Sequence, residues 1–221
     1  MKKKPSPGPR QAVSNPGPQN AVLKWRNVPD RDLWIYARAF HTAAKKLAGT
    51  LEPDSGLLPY YDPCPVVFMY RHAIELQLKA LLLGDGGNFV ATRPDHLSIR
   101  KTHSVSWLAQ FVCQIVTALK WEAEFKCEGV GNLAEFQVVV EEVNSFDPGY
   151  ALRCPVDPEE PGSVPGQLAF GVLAFARRMD ALLELLASTA DALAATWDMQ
   201  TGAAAPDDEL HGGSDFEPTI Q

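Results

Sequence analysis

A single predicted helix carries the side chains of this sequence that could do chemistry. Glu75 lies four residues from both Arg71 and Lys79, and His72 falls in the same arc of about 100° on a helical wheel. Metal-independent cleavage of RNA needs a base for the 2′-hydroxyl proton and a cation beside the phosphate. His72 or His103 would supply that base. Arg71 or Lys79 would supply the cation, provided that the next helix brings His103 to this polar stripe.

The same residues also have a purely structural interpretation. Spacings of four bring opposite charges together on a helix, so Arg71, Glu75 and Lys79 form an ion ladder worth about 0.3 kcal/mol per pair. His103 would then tie the next helix to Glu75, which is the role we favour for it. Because the helix is otherwise apolar nearly all round, the stripe should be partly buried and face a cleft or a second subunit. Both interpretations stay open at this point.

The elements that must position the stripe are helices. Prolines 63 and 65 and Gly84 delimit the polar helix over residues 65–83. Apolar residues at spacings of three and four predict four more helices. Two of them span residues 31–48 and 167–197, the latter with a kink at Gly171. The other two begin at Thr102 or Ser104 and end at 119, and begin at the capping box of Asn132 and end at 146. Residues 84–101 read as a long loop that holds His96 and a flexible turn at 85–88. About five helices and no strand predict an all-α, antiparallel helical bundle.

The charge distribution divides the chain into one domain and two tails. The first 26 residues carry a charge of +6 and the last 24 carry −6, so the remaining body holds the whole −7 of the chain. We expect a disordered Pro-rich basic arm at 1–29, a helical domain at 30–197 and a disordered acidic tail at 198–221. An acidic body is not typical of a general nucleic-acid binder, because attraction to phosphate needs a basic face.

Composition and spacing exclude several classes of protein. Four cysteines without zinc or CxxC spacing predict reduced thiols and a cytoplasmic protein. Residues with metal-ligand spacing and a phosphate-binding loop are missing, so we expect neither a metal nor a cofactor. Charged residues within the most apolar segment, 167–187, argue against a membrane span. Trp25 and Trp34, if exposed, are candidates for a surface that binds a protein partner.

The polar helix and two later turns resemble the HEPN-like helical proteins of prokaryotes over roughly residues 30–197. The pattern begins with FxxRHxxELxLKxLL and continues with KxH, an Asp-Pro pair and an arginine-bearing turn. The first part corresponds to Phe68, Arg71, His72, Glu75, Leu76, Leu78, Lys79, Leu81 and Leu82. The later parts correspond to Lys101 and His103, to Asp147 and Pro148, and to Arg153. The resemblance implies a helical bundle that forms a homodimer. It also implies a toxin–antitoxin or antiviral setting, in which the active members are metal-independent ribonucleases.

The catalytic signature of that family, an arginine followed by four to six residues and a histidine, is missing from this sequence. The nearby pairs are at positions 38 and 41, 71 and 72, 93 and 96, and 100 and 103, all with shorter spacings. We therefore expect a dimeric binding or regulatory module, with Arg153 as a loop contact. The alternative is an RNA-cleaving or nucleotide-modifying enzyme, whose candidate residues are Arg71, His72, Lys79 and His103.

Overall fold

The structure is a computed structural model and describes residues 29–51, 63–146 and 170–202. Its six α-helices are α1 (Pro29–Ala48), α2 (Pro63–Leu83), α3 (His96–Lys101), α4 (Val105–Leu119), α5 (Leu133–Ser145) and α6 (Val172–Thr201), and a 3-10 helix (Asp85–Phe89) follows α2. No strand occurs in these ranges, where the only bridge between extended residues joins Cys127 to Val130. The predicted all-α class is confirmed.

The polar helix α2 lies at the centre of the fold. It contacts α1, α3, α4, α6 and the 3-10 helix. Tyr70, Ile74, Leu78 and Leu82 are fully buried, because apolar residues cover most of the circumference of α2. Neighbouring helices therefore surround α2, and its polar stripe has to be accommodated inside the protein.

Two helix starts agree with the caps that the sequence predicts. The Ser104 hydroxyl accepts a hydrogen bond from the Trp107 amide at 3.1 Å, and the Asn132 side chain accepts one from the Glu135 amide at 3.0 Å. The Glu135 carboxylate reaches back to the Gly131 amide at 2.7 Å, one residue before the amide that a standard capping box would use. These caps fix the first turns of α4 and α5.

The segment between α2 and α4 is ordered into helices, so its prediction as a long loop was wrong. Residues 85–88 belong to the 3-10 helix instead of a flexible turn, and Gly86 within it is buried. His96 begins α3, whose N-cap Asp95 accepts a hydrogen bond from the Ser98 amide at 2.9 Å. A Cβ atom on Gly86 would lie 2.6 Å from the Leu81 carbonyl oxygen. Close packing that only glycine permits therefore orders this segment.

Arg93 stabilises the same segment from the other side. Its guanidinium donates hydrogen bonds to the carbonyls of Leu82 at 3.0 Å and Leu83 at 3.2 Å, which are unsatisfied groups at the C-terminus of α2. A Cβ atom on Gly87 would meet that guanidinium at 2.5 Å. Glycine at position 87 therefore leaves the space through which Arg93 caps α2.

The last helix differs from its prediction at both ends. It begins at Val172, because Gly171 is an extended residue before the helix and not a kink inside it. It continues to Thr201, four residues beyond the predicted end at 197. The predicted contact residue Arg153, and most of the two predicted tails, lie outside the described residues.

Candidate functional site

The centre of the polar stripe is the Glu75 carboxylate, which is 1% exposed. Lys79 Nζ lies 2.7 Å from Oε1, and Arg71 Nη1 lies 3.3 Å from Oε2. These are the ion pairs that spacings of four predict along α2. Arg71 and Lys79 are only 2% and 4% exposed, so the ladder lies inside the protein instead of on its surface.

The end of α3 and the connection from α3 to α4 cover the ladder. Arg71 Nη2 donates to the His103 carbonyl at 2.8 Å, and Lys79 Nζ donates to the Arg100 carbonyl at 3.2 Å. His103 Nδ1 lies 3.0 Å from Glu75 Oε1, at hydrogen-bond distance. The sequence predicted that the stripe would face a cleft or a second subunit. The stripe instead faces residues 100–103 of the same chain. We call the set of Arg71, Glu75, Lys79 and His103 the Glu75 network.

The ionisation of Glu75 follows from this arrangement. Burial raises the pKa of Glu75, but the hydrogen bonds and charges of Lys79 and His103 outweigh burial and hold the pKa below its ordinary value. The carboxylate is therefore ionised at neutral pH. Each buried cation keeps a carboxylate oxygen and a backbone carbonyl as acceptors, which is what burial of paired charges requires.

His72, which the helical wheel placed in the stripe, lies against two aromatic rings. Its ring stacks on Phe68, with 5.6 Å between centroids and 8° between planes. It also packs edge-on against Phe40 in α1, with 4.6 Å between the ring centroids. The structure thus gives His72 an aromatic environment between α1 and α2, while His103 joins the Glu75 network.

A second polar cluster, which the sequence did not reveal, joins α1, α2 and α6. His41 Nε2 lies 2.7 Å from Asp180 Oδ1, and the buried Tyr70 hydroxyl donates to the same oxygen at 2.8 Å. Lys45 Nζ lies 3.5 Å from Asp180 Oδ2. The separation of 139 residues between His41 and Asp180 explains why no local spacing could signal the pair.

The chemistry of this second cluster is structural. Burial, and then the hydrogen bond and charge of Asp180, raise the pKa of the Tyr70 hydroxyl well above its ordinary value, so Tyr70 remains a neutral donor. An aspartate that orients a histidine is also part of nucleophilic hydrolases. Among the described residues, however, His41 forms no hydrogen bond to a hydroxyl or a thiol. The cluster ties three helices together.

The described part of the chain contains neither an activated cysteine nor a group of metal ligands. Burial raises the pKa of the Cys113 and Cys127 thiols, which keeps both protonated and unreactive. No group of three His, Cys, Asp or Glu side chains is arranged to hold a metal ion in the ranges that the structure covers. None of the described helices has the length and apolar character to cross a membrane.

One groove of about 590 Å³ opens on the surface beside α1, α2, the 3-10 helix and α6. Trp34 and Ile35 form one wall, and the buried side chains of Leu81 and Leu193 lie in its floor. Ile35 is 41% exposed, so part of its apolar side chain is open to a ligand. The groove is therefore a second candidate for a binding site.

Comparisons with known proteins do not assign the chain to a family. No family model, curated protein or solved structure matches it. Function must therefore be argued from the Glu75 network and the groove.

Proposed function

We propose that this protein is a HEPN-like helical protein that works as a dimeric binding or regulatory module, in a toxin–antitoxin or phage-defence setting, without catalysis of its own. The observation that carries the proposal is the closed Glu75 network. Its three charged groups on α2 are buried and bonded to one another or to backbone carbonyls of residues 100 and 103. Such a network positions helices, and a substrate has no access to it.

The chemistry of cleavage explains why this closure matters. A general base must come within hydrogen-bond reach of the proton that it removes. Glu75 is buried and already accepts from Arg71 and Lys79, with His103 at hydrogen-bond distance. Of this network, only the His103 side chain reaches solvent, with 45% of its surface exposed. A phosphate would have to break buried ion pairs before it met either cation.

The packing of α1 supports the antiparallel part of the proposed fold. Trp34, near the start of α1, lies with Leu81 and Leu193, which are late in α2 and α6. His41, one to two turns further along α1, lies with Tyr70 and Asp180, which are early in those helices. The order of contacts is reversed, as in helices that run antiparallel to α1. Dimerisation follows from the family resemblance alone and needs its own measurement.

An assay of RNA cleavage tests the proposal. We expect no cleavage of labelled RNA by the purified protein, and no difference between the wild type and the His72→Ala and His103→Ala variants. His96→Ala, which removes an exposed histidine from α3, is the matched control. Cleavage that is lost in His103→Ala but kept in His96→Ala would overturn the proposal in favour of the ribonuclease alternative.

A measurement of molecular mass tests the dimer separately. Sedimentation at micromolar concentration should return twice the monomer mass of 24.2 kDa. A monomer mass would contradict the proposed dimer and leave the binding function standing.

A further inference from the structure

The groove beside Trp34 has the size and the lining of a site for a peptide side chain. Its volume of about 590 Å³ falls within the range of pockets that enclose small ligands. The apolar part of its lining includes Trp34, the exposed Ile35, Leu81 and Leu193. A large apolar side chain would replace water over that surface, which is the main source of affinity in such pockets.

The charge at the groove has one sign. Asp85 from the 3-10 helix and Asp191 from α6 are the charged residues that line it. Neither forms an ion pair with any residue that the structure describes. Arg38 stacks on Trp34, with its guanidinium 4.6 Å from the centroid of the ring, but it does not line the groove. A ligand with positive charge is therefore favoured and an anionic one is repelled.

We infer that the groove binds a basic peptide segment of a partner protein. One large apolar side chain of the peptide fills the space between Trp34 and Leu193, and its lysine or arginine side chains pair with Asp85 and Asp191. The two carboxylates stand on different elements, so they engage an extended ligand better than a single small cation. This inference rests on the proposed binding function and names the chemical class of its partner.

Two synthetic peptides of twelve residues test the inference. Both contain the same leucines and one tryptophan, but one carries four lysines where the other carries four glutamates. Fluorescence anisotropy with the full chain should show binding of the lysine peptide alone, and raised salt should weaken that binding because exposed charges are screened. Equal binding of both peptides, or of neither, would overturn the inference.

Variants of the groove locate the binding. We expect Asp85→Asn combined with Asp191→Asn to weaken binding of the lysine peptide by about tenfold or more. Ala194→Leu, which fills the groove, should abolish binding of the lysine peptide. The matched control is Glu122→Gln combined with Glu124→Gln, which removes the same charge from the exposed turn after α4 and should change affinity less than about twofold. The asparagine variant alters only the rim, so the test stands even if Ala194→Leu lowers stability.

The outcomes separate this inference from the proposed function. Unchanged affinity in the asparagine variant would place the peptide elsewhere and overturn the groove as its site. A dimer that Ala194→Leu dissociates, without binding of the lysine peptide, would show that a second copy fills the groove and would also overturn it. Either result leaves the binding function intact, whereas cleavage of RNA that depends on His103 would refute that function whatever the peptides do.

Discussion

Replacement of Glu75 by glutamine should be among the most destabilising conservative changes in this chain. The variant keeps the shape of the side chain but removes the carboxylate that lies 2.7 Å from Lys79 Nζ, and Lys79 is only 4% exposed. Removing one partner of a buried ion pair costs about 3–5 kcal/mol, because the remaining charge stays buried and uncompensated. For a domain of this size, that corresponds to a lowering of the melting temperature by roughly 6–20 °C.

Urea unfolding followed by far-UV circular dichroism measures this loss. The slope of the free energy with urea should stay unchanged, so that a shifted midpoint reports stability alone. Glu122→Gln, in the exposed turn after α4, is the matched control and should change stability by less than about 0.5 kcal/mol. A loss below about 1 kcal/mol for Glu75→Gln would refute the reasoning, since the two cations would then have access to water.

A triple variant separates burial of charge from simple loss of contacts. Arg71→Met, Glu75→Leu and Lys79→Met together replace the ladder with apolar side chains of similar size. Such replacements of buried ion networks are often neutral or stabilising. We expect the triple variant to unfold at a higher urea concentration than Glu75→Gln, although the carbonyls of Arg100 and His103 lose their donors. A larger loss in the triple variant would mean that these carbonyls dominate the energetics.

The Glu75 network also makes the stability of the protein depend on pH. The pKa of Glu75 in the folded state lies below its ordinary value of 4.5, so its contribution to stability is complete above that value and disappears as pH falls through the folded pKa. We expect the free energy of unfolding of the wild type to drop below about pH 4.5, and the Glu75→Gln variant to show a shallower drop. Parallel pH profiles for the two proteins would contradict ionisation of Glu75 in the folded state.

Four further substitutions test the packing and caps by urea unfolding. Gly86→Ala should cost about 1–3 kcal/mol because its Cβ would lie 2.6 Å from the Leu81 carbonyl oxygen, whereas Gly171→Ala, whose Cβ would meet the Ala174 Cβ at an ordinary contact distance of 3.7 Å, should cost less. Asn132→Ala should cost about 1 kcal/mol by removing the cap of α5, and a change near zero would show that the cap is dispensable. Tyr70→Phe should cost about 1–2 kcal/mol, because it removes a buried donor to α6; a stability gain would contradict that hydrogen bond.

The local features of the site could be predicted because they depend on neighbours in sequence. Spacings of four place Arg71 and Lys79 beside Glu75 on any regular helix. Ser104 and Asn132 each precede a segment with helical periodicity, and their side chains accept hydrogen bonds from amides three residues later. The N-cap Asp95, with Ser98 three residues later, was a signal of the same kind that would have revealed α3.

Features that depend on distant partners could not be predicted in this way. Residues 84–101 contain glycine, proline and polar residues typical of loops, yet Gly86 and Arg93 pack against the end of α2 and order the segment. The helical wheel grouped His72 with Glu75 because it records angle alone. The aromatic rings of Phe40 and Phe68 decide where His72 actually lies.

The sequence by itself determined that α2 is a core helix with one line of alternating charges, because period and residue type suffice for that. Only the tertiary structure decided what that line faces. The end of α3 and the connection to α4 bring two carbonyls and the His103 ring over the charges, and α6 brings Asp180 to His41 across 139 residues. Charges that pair along a helix can be predicted from their spacing. Which groups pack over those charges depends on the fold of the whole chain, and here the groups that pack over them favour a structural network over an active site.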